Sequence, residues 1–257
     1  MAALQVLAVD TASAMTAVAL VGDGVVAEEA HFDPRGHAEV LIPLVRSVLA
    51  TAGITRPDVI ACGVGPGPYT GLRVGIATAR ALSLSWSIPI VGVCSLDAVA
   101  WAAQAGGASG PVGVVMDARR REVYWATFDA SGLRTGGPGV CRPGELPEQA
   151  PGLCWVGSGI GGLSPRLHPI EPPPWGPVGL PGLAGSMGLR VQRELSTGVG
   201  SALEPASVNS EVRQQRQSWL ADHGSDSGAT AHALIDEVIL PPEPLYLRRP
   251  DAAVSRA

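Results

Sequence analysis

One unit occurs twice in this chain: an apolar strand ending on an aspartate, a short polar turn, and a second apolar strand. The first copy spans residues 6–20, with Val6 to Val9 leading into Asp10 and a turn through Thr11, Ala12 and Ser13. The second spans 112–128, with Val112 to Met116 leading into Asp117 and a turn through Arg119 and Arg120. Short apolar runs bounded by turn residues read as strands. Their repetition within one chain points to two related α/β lobes.

The rest of the pattern builds on that pair. A third strand over 25–32 follows the turn Gly22-Asp23-Gly24 and completes an antiparallel meander. Leu41, Leu44, Val45, Val48 and Leu49 recur at helical spacing and predict a helix over 37–52 closed by Gly53. Pro43 either bends that helix or marks its first turn. A strand over 59–64 leads through a glycine-rich loop to a helix over 71–85 with Thr70 as N-cap. A strand over 88–93 and a helix over 95–104 follow, and Gly106 to Gly110 marks a boundary. The chain thus divides into an N-terminal lobe over 1–106, a smaller lobe over 107–197, an insertion over 198–232, and a C-terminal strand and tail over 233–257. Residues 164–182 are dense in proline and glycine. Residues 198–231 have too little apolar surface to offset the entropy of ordering and are expected to be flexible.

Composition excludes several classes of function. Eighteen basic against twenty-three acidic residues give a net charge of -5, so the chain has no bulk attraction for phosphate backbones. Cys62, Cys94, Cys141 and Cys154 form no CxxC pair, and the five histidines form neither HExxH nor HxxxH, so no metal site is expected. There is no GxSxG elbow of a serine hydrolase. The N-terminal apolar run meets Asp10 before it could serve as a signal core or a membrane span, which places the expected location in the cytoplasm, with no membrane contact.

The most informative stretch is GVGPGPYTGLRVG at 63–75. No Lys-Ser/Thr follows its last glycine, so it is not a Walker A loop, and its spacing is not GxGxxG. Two readings stay open: a phosphate cradle, or a strand-to-helix turn whose glycines let another backbone approach closely. Arg73, a cation in a helix's first turn, opposes the macrodipole at about 0.3–1 kcal/mol unless something answers it. GSGIGG at 157–162 does match GxGxxG, but no amphipathic helix follows to receive a pyrophosphate. Asp10 and Asp117, each at a strand end, fit either a metal-nucleotide or a turn. Arg119-Arg120-Arg121 reads as a solvated turn, with a small tRNA contact as the alternative.

Five segments in order, LAVDTAS at 7–13, PRGHAEVLIP at 34–43, GPGPYTGLRVGIATARAL at 65–82, DARRREVYW at 117–125 and PLYLRRPD at 244–251, resemble the TsaB family. The resemblance implies an actin-like ATPase superfamily fold of duplicated ribonuclease-H-like lobes. It also implies a non-catalytic subunit that supports TsaD, its catalytic paralogue. TsaD transfers threonylcarbamoyl from threonylcarbamoyl-adenylate to the adenosine beside the anticodon of tRNAs reading codons that begin with A. The ATPase TsaE joins the complex, ATP and metal belong to the partner subunits, and tRNA is met only through the complex. Where the paralogue carries NHxxxH, this chain reads Cys94-Ser95-Leu96-Asp97-Ala98-Val99, with Ser95 and Val99 at the two histidine positions. Losing two imidazoles removes most of a site's affinity and geometry.

Two candidate sites follow. Asp10, Thr11, Ser13 and Asp117 would form a vestigial nucleotide site. Leu41, Leu44, Val45, Val48, Leu72, Arg73, Ile76, Ala79, Arg80, Leu82 and Ser83 would form a partner interface, because apolar residues surround the 71–86 helix and leave a face to cover. The same surface would serve a homodimer when the chain is alone. The alternatives are an internal helix covered by the second lobe and, for function, a stand-alone actin-like-fold kinase or ATPase, or a glycoprotease-like metalloenzyme.

Overall fold

The computed structural model describes residues 3–146, 153–159, 183–197 and 243–247. The expected insertion over 198–232 and all of 164–182 lie outside these residues. Two sheets form the frame. The first has the order β3-β2-β1-β4-β5, from β1 (Val6–Asp10), β2 (Met15–Gly22), β3 (Gly24–Phe32), β4 (Val59–Gly65) and β5 (Ile90–Cys94). The second has the order β8-β7-β6-β9, from β6 (Val112–Asp117), β7 (Val123–Phe128), β8 (Arg134–Cys141) and β9 (Cys154–Val156). In each sheet an antiparallel meander is extended by a strand parallel to the first, β4 beside β1 and β9 beside β6. The repeat of the aspartate-ended unit is therefore a repeat of topology.

Alternation along β1 explains the layering, because successive side chains point to opposite faces. Leu7 and Val9 join Val45, Val48, Ile76 and Ala79 of α1 (His37–Thr51) and α2 (Tyr69–Trp86) in one cluster. Val6 and Ala8 face the other way, into a core shared with α3 (Ser95–Ala105), α4 (Leu183–Thr197) and Val112, Val114 and Phe128 of the second sheet. α3 and α4 thus lie between the sheets, and α1 and α2 cover the side of the first sheet that faces away from the second lobe.

Four local expectations are revised. α2 starts at Tyr69 with Pro68 as N-cap, because the Pro68 carbonyl already accepts the Leu72 N–H at 3.1 Å, so Thr70 lies inside the helix. Pro43 lies within α1 and does not mark its start. β5 begins at Ile90, two residues late, after Ser87 takes a left-handed φ of 52° at the end of α2. Residues 243–247 form no strand; they dock through one backbone bond, Leu245 N–H to Val64 O at 2.7 Å.

Two elements have no counterpart in the sequence reading. β8 is glycine-rich because the Trp125 side chain of its sheet neighbour β7 lies against it: a Cβ on Gly139 would lie 2.6 Å from Trp125 Nε1. It is an edge strand, where Pro138 is tolerated. α4 places Leu183, Ala184, Met187 and Val191 in the core, while Gly188 lets it approach Val21 closely.

Candidate functional site: the strand-end turn and the α2 surface

The end of β1 and the start of the turn that follows it are enclosed, while Ser13 and Ala14 keep part of their surface. Asp10 is 1% exposed and Thr11 0%. Asp10 Oδ1 accepts the Ala12 N–H at 2.8 Å, and Oδ2 accepts the Ser95 hydroxyl at 2.5 Å. Ser95 Oγ also accepts the Gly65 N–H at 3.3 Å, so one hydroxyl links α3, β1 and the glycine-rich loop. Burial raises the Asp10 carboxyl above the ordinary carboxylate range, against the lowering by Ser95 and Ala12. Thr11 Oγ1 donates to Gly71 O at 2.8 Å, and half-buried Ser13 accepts the Met15 N–H at 3.1 Å.

The glycine-rich stretch is what makes this closure sterically possible. A side chain at Gly63 would collide with the Asp10 carboxylate, at Gly67 with the Ala12 carbonyl, and at Gly75 with Thr11 Oγ1. At Gly71 a Cβ would lie 2.6 Å from Thr11 O. These glycines pack the start of α2 onto the β1–β2 turn, which is the close-approach reading of the motif. His37 completes the seal: its Nδ1 pairs with Thr16 Oγ1 at 2.7 Å, and burial lowers its basicity.

Asp117, the duplicate of Asp10, does not join this group. It is exposed, and its Oδ1 accepts the Arg119 N–H at 2.8 Å, the same i to i+2 bond that Asp10 makes to Ala12. The turn it starts is strained. Arg119, Arg120 and Arg121 have φ of 61°, 55° and 61°, a left-handed run costing roughly 1–2 kcal/mol per residue for side chains with a Cβ. Gly157 and Gly159 of the GxGxxG match lie against Val115 and Met116 at the end of β6, where Gly157 takes φ 113°. They serve backbone packing.

Val99 is buried like Ser95, so both positions of the paralogue's histidines face the core. Between them Asp97 receives a fork from Arg134, with Nε donating to Oδ1 at 2.9 Å and Nη2 to Oδ2. The pair fastens α3 to β8, and burial pushes the Asp97 carboxyl up despite the neighbouring guanidinium. Among the described residues no three His, Cys, Asp or Glu side chains gather where they could hold a metal ion.

The residues expected at the partner surface separate into three sets. Leu41, Val45, Val48, Leu72, Ile76 and Ala79 are buried in the chain's own core, Leu44, Leu82 and Ser83 are half-buried, and Arg73 and Arg80 are exposed. The open face of α2 consists of Arg73, Ala77, Arg80, Ala81, Leu84 and Ser85, with Leu84 81% exposed. Helical spacing alone cannot tell these faces apart on a helix that is apolar all round. The conflict of Arg73 with the helix dipole is answered within the chain. Its guanidinium lies 3.9 Å from the Tyr69 ring centroid and donates to Tyr246 Oη at 3.2 Å, while the two tyrosine rings stack at 5.3 Å. Arg80 lies 3.9 Å from Glu243 in a surface pair worth little.

With its duplicated sheet order, the molecule is a two-lobed α/β protein of the actin-like, ribonuclease-H-like class. The family model described as TsaD, tRNA N6-adenosine threonylcarbamoyltransferase, matches residues 5–149. The chain belongs to this TsaD/YeaZ family. An uncharacterized protein of Mycobacterium tuberculosis is 41% identical over 180 residues, spanning 68% of this chain and 82% of that protein. The Escherichia coli protein named tRNA threonylcarbamoyladenosine biosynthesis protein TsaB is 37% identical over 168 residues, 62% of this chain and 72% of its own. Among solved structures, YeaZ from Pseudomonas aeruginosa superposes with a TM-score of 0.64 at 28% identity, over 74% of this chain and 93% of that one. No helix among the described residues is long and apolar enough to cross a membrane.

Proposed function

We propose that this chain is a TsaB-type supporting subunit, which carries no chemistry of its own and binds a TsaD-type catalytic paralogue in threonylcarbamoyl modification of tRNA. The observation that carries the reading is the sealed turn: Asp10 and Thr11 offer no surface to a nucleotide or metal, and Ser95 occupies the place of an imidazole. A carboxylate already holding two donors inside the core acts as a brace. The open face of α2, flanked by α1, is the proposed seat of the partner, and of a second copy when the partner is absent. Residues 243–247 lie beside it through Tyr246 and Glu243, so the partner meets a surface that this segment has already shaped. ATP, metal and TsaE belong to the assembly, tRNA is met through it, and the setting is the cytoplasm.

The test is capture. The full chain, tagged, is expected to retain the TsaD of its own organism through washing, to form a dimer by light scattering when alone, and to carry less than one-tenth of a divalent metal per chain. Failure to retain TsaD, together with a monomer at every concentration, would remove the reading.

A further inference from the structure

We propose that Arg73, held by Tyr69 and Tyr246, is a preformed receptor for a carboxylate of the TsaD-type partner, placed at the N-terminal end of the open face of α2. The choice of partner rests on the supporting-subunit reading. The cluster joins two distant parts of the chain. Tyr69 and Arg73 lie one turn apart at the start of α2, and the 243–247 segment brings Tyr246 to them. Leu245 anchors that segment, through its N–H to Val64 O at 2.7 Å and through a side chain that packs against both large core clusters. The position of Tyr246 is therefore set by the fold before a partner arrives.

The guanidinium is held by two neutral rings. It lies 3.9 Å from the Tyr69 ring centroid, its Nε donates to Tyr246 Oη at 3.2 Å, and the rings stack at 5.3 Å. These contacts steady the side chain and leave its charge unmatched: among the described residues no carboxylate pairs with Arg73, and its two Nη groups have no hydrogen-bond partner. Arg80, two turns further along the same face, does have one, with Glu243 at 3.9 Å. Tyr246 Oη accepts from Nε and keeps its own hydrogen to donate. All three side chains are exposed. Two Nη groups and a phenol hydroxyl form a donor set that suits a carboxylate, which can take a fork from the two nitrogens. An arginine already ordered loses less freedom on binding, and Tyr and Arg are the residue types that concentrate binding energy at interfaces. The cluster is continuous with the rest of the open face, since Arg73, Ala77, Arg80 and Leu84 follow one another along one side of the helix. α2 contains two arginines and no acidic residue, so the complementary partner surface is acidic at this end and apolar toward Leu84.

The experiment measures affinity of the full chain for the TsaD of its own organism, from about 50 to 300 mM KCl, for the parent, Arg73→Gln, Arg73→Lys and Tyr246→Phe. Each is also melted by circular dichroism. Arg73→Gln is expected to stay folded, to bind TsaD about tenfold or more weakly at low salt, and to show a flatter salt dependence. Arg73→Lys should keep the salt dependence and still lose affinity, because an ammonium cannot form the fork. Tyr246→Phe keeps the ring stack and removes the hydroxyl; it should bind about threefold more weakly with the parent's salt dependence. A merely structural role would lower the melting temperature and leave the salt dependence of binding unmoved, which overturns the proposal. Binding by Arg73→Gln within about twofold of the parent overturns it as well. If only self-association is lost the cluster serves a second copy, and if only tRNA retention by the complex is lost it serves RNA phosphate; either overturns it. Should Arg73→Gln not fold, parent-like affinity in both Arg73→Lys and Tyr246→Phe has the same consequence. A parent that does not bind TsaD removes the supporting reading and this inference together, whereas a parent that binds beside indifferent variants removes the inference alone.

Discussion

Arg134→Ala is expected to lower the unfolding free energy by about 3 kcal/mol, the low end of the range for removing one partner of a buried ion pair. The low end applies because the two side chains keep 14% and 16% of their surface. The loss comes from Asp97, which is left in the core without its fork, in an environment that already disfavours its charge. Adding Asp97→Ala should recover part of the loss, since two absent charges cost less than one unpaired. Denaturant melts followed by circular dichroism would measure both. A loss below about 1 kcal/mol for the single variant would mean that α3 and β8 are held together by packing alone.

The second large effect concerns association. Ala77→Glu and Leu84→Glu, on the open face of α2, are expected to leave stability within about 0.5 kcal/mol, as for other exposed positions. Each should weaken both the dimer and TsaD capture at least a hundredfold, because an unpaired charge would be buried in the complex. Ile76→Glu and Val48→Glu would not report on the interface, since both side chains are in the chain's own core and their replacement would unfold it. Equal capture by Ala77→Glu, Leu84→Glu and the parent would place the partner elsewhere.

These variants show where sequence reading succeeds and where it stops. The two lobes were legible because a short continuous apolar run in residues 6–9 and again in 112–116, each ended by an aspartate and a turn, reads as a buried strand in both places. α1 was legible because its apolar stripe occupies one side. α2 was legible as a helix but not as a surface: with apolar residues all round, only the position of the first sheet separates Ile76 from Ala77. α4 was hidden because Gly185 and Gly188 weaken the helix signal, although they are what lets the helix settle on β2 and β3. The spacing of Leu183, Met187, Val191 and Leu195 by fours was the cue available. β8 was hidden for a similar reason, its glycines being space for Trp125 and Thr127.

The candidate nucleotide site was legible as a set of residues and not as an environment. Asp10 and Asp117 are equivalent in sequence, at the same place in duplicated units, and differ entirely in burial. What seals one and leaves the other open is the start of α2, delivered by Gly63, Gly67, Gly71 and Gly75 from far along the chain. Ser95 was visible as a lost ligand, while its bond to Asp10 could be seen only once the strands were placed.

The central claim is that the chain supports the reaction without performing it, and reconstituted tRNA modification with the Asp10→Asn variant tests it most directly. Asparagine can still accept the Ala12 N–H and can donate to Ser95 Oγ, and it removes a buried charge. The account predicts that threonylcarbamoyl transfer by TsaD needs this chain and proceeds with Asp10→Asn at the parent rate, with a melting temperature no lower than the parent's. A rate more than tenfold slower, with folding and TsaD capture intact, would contradict it and return Asp10 to the chemistry.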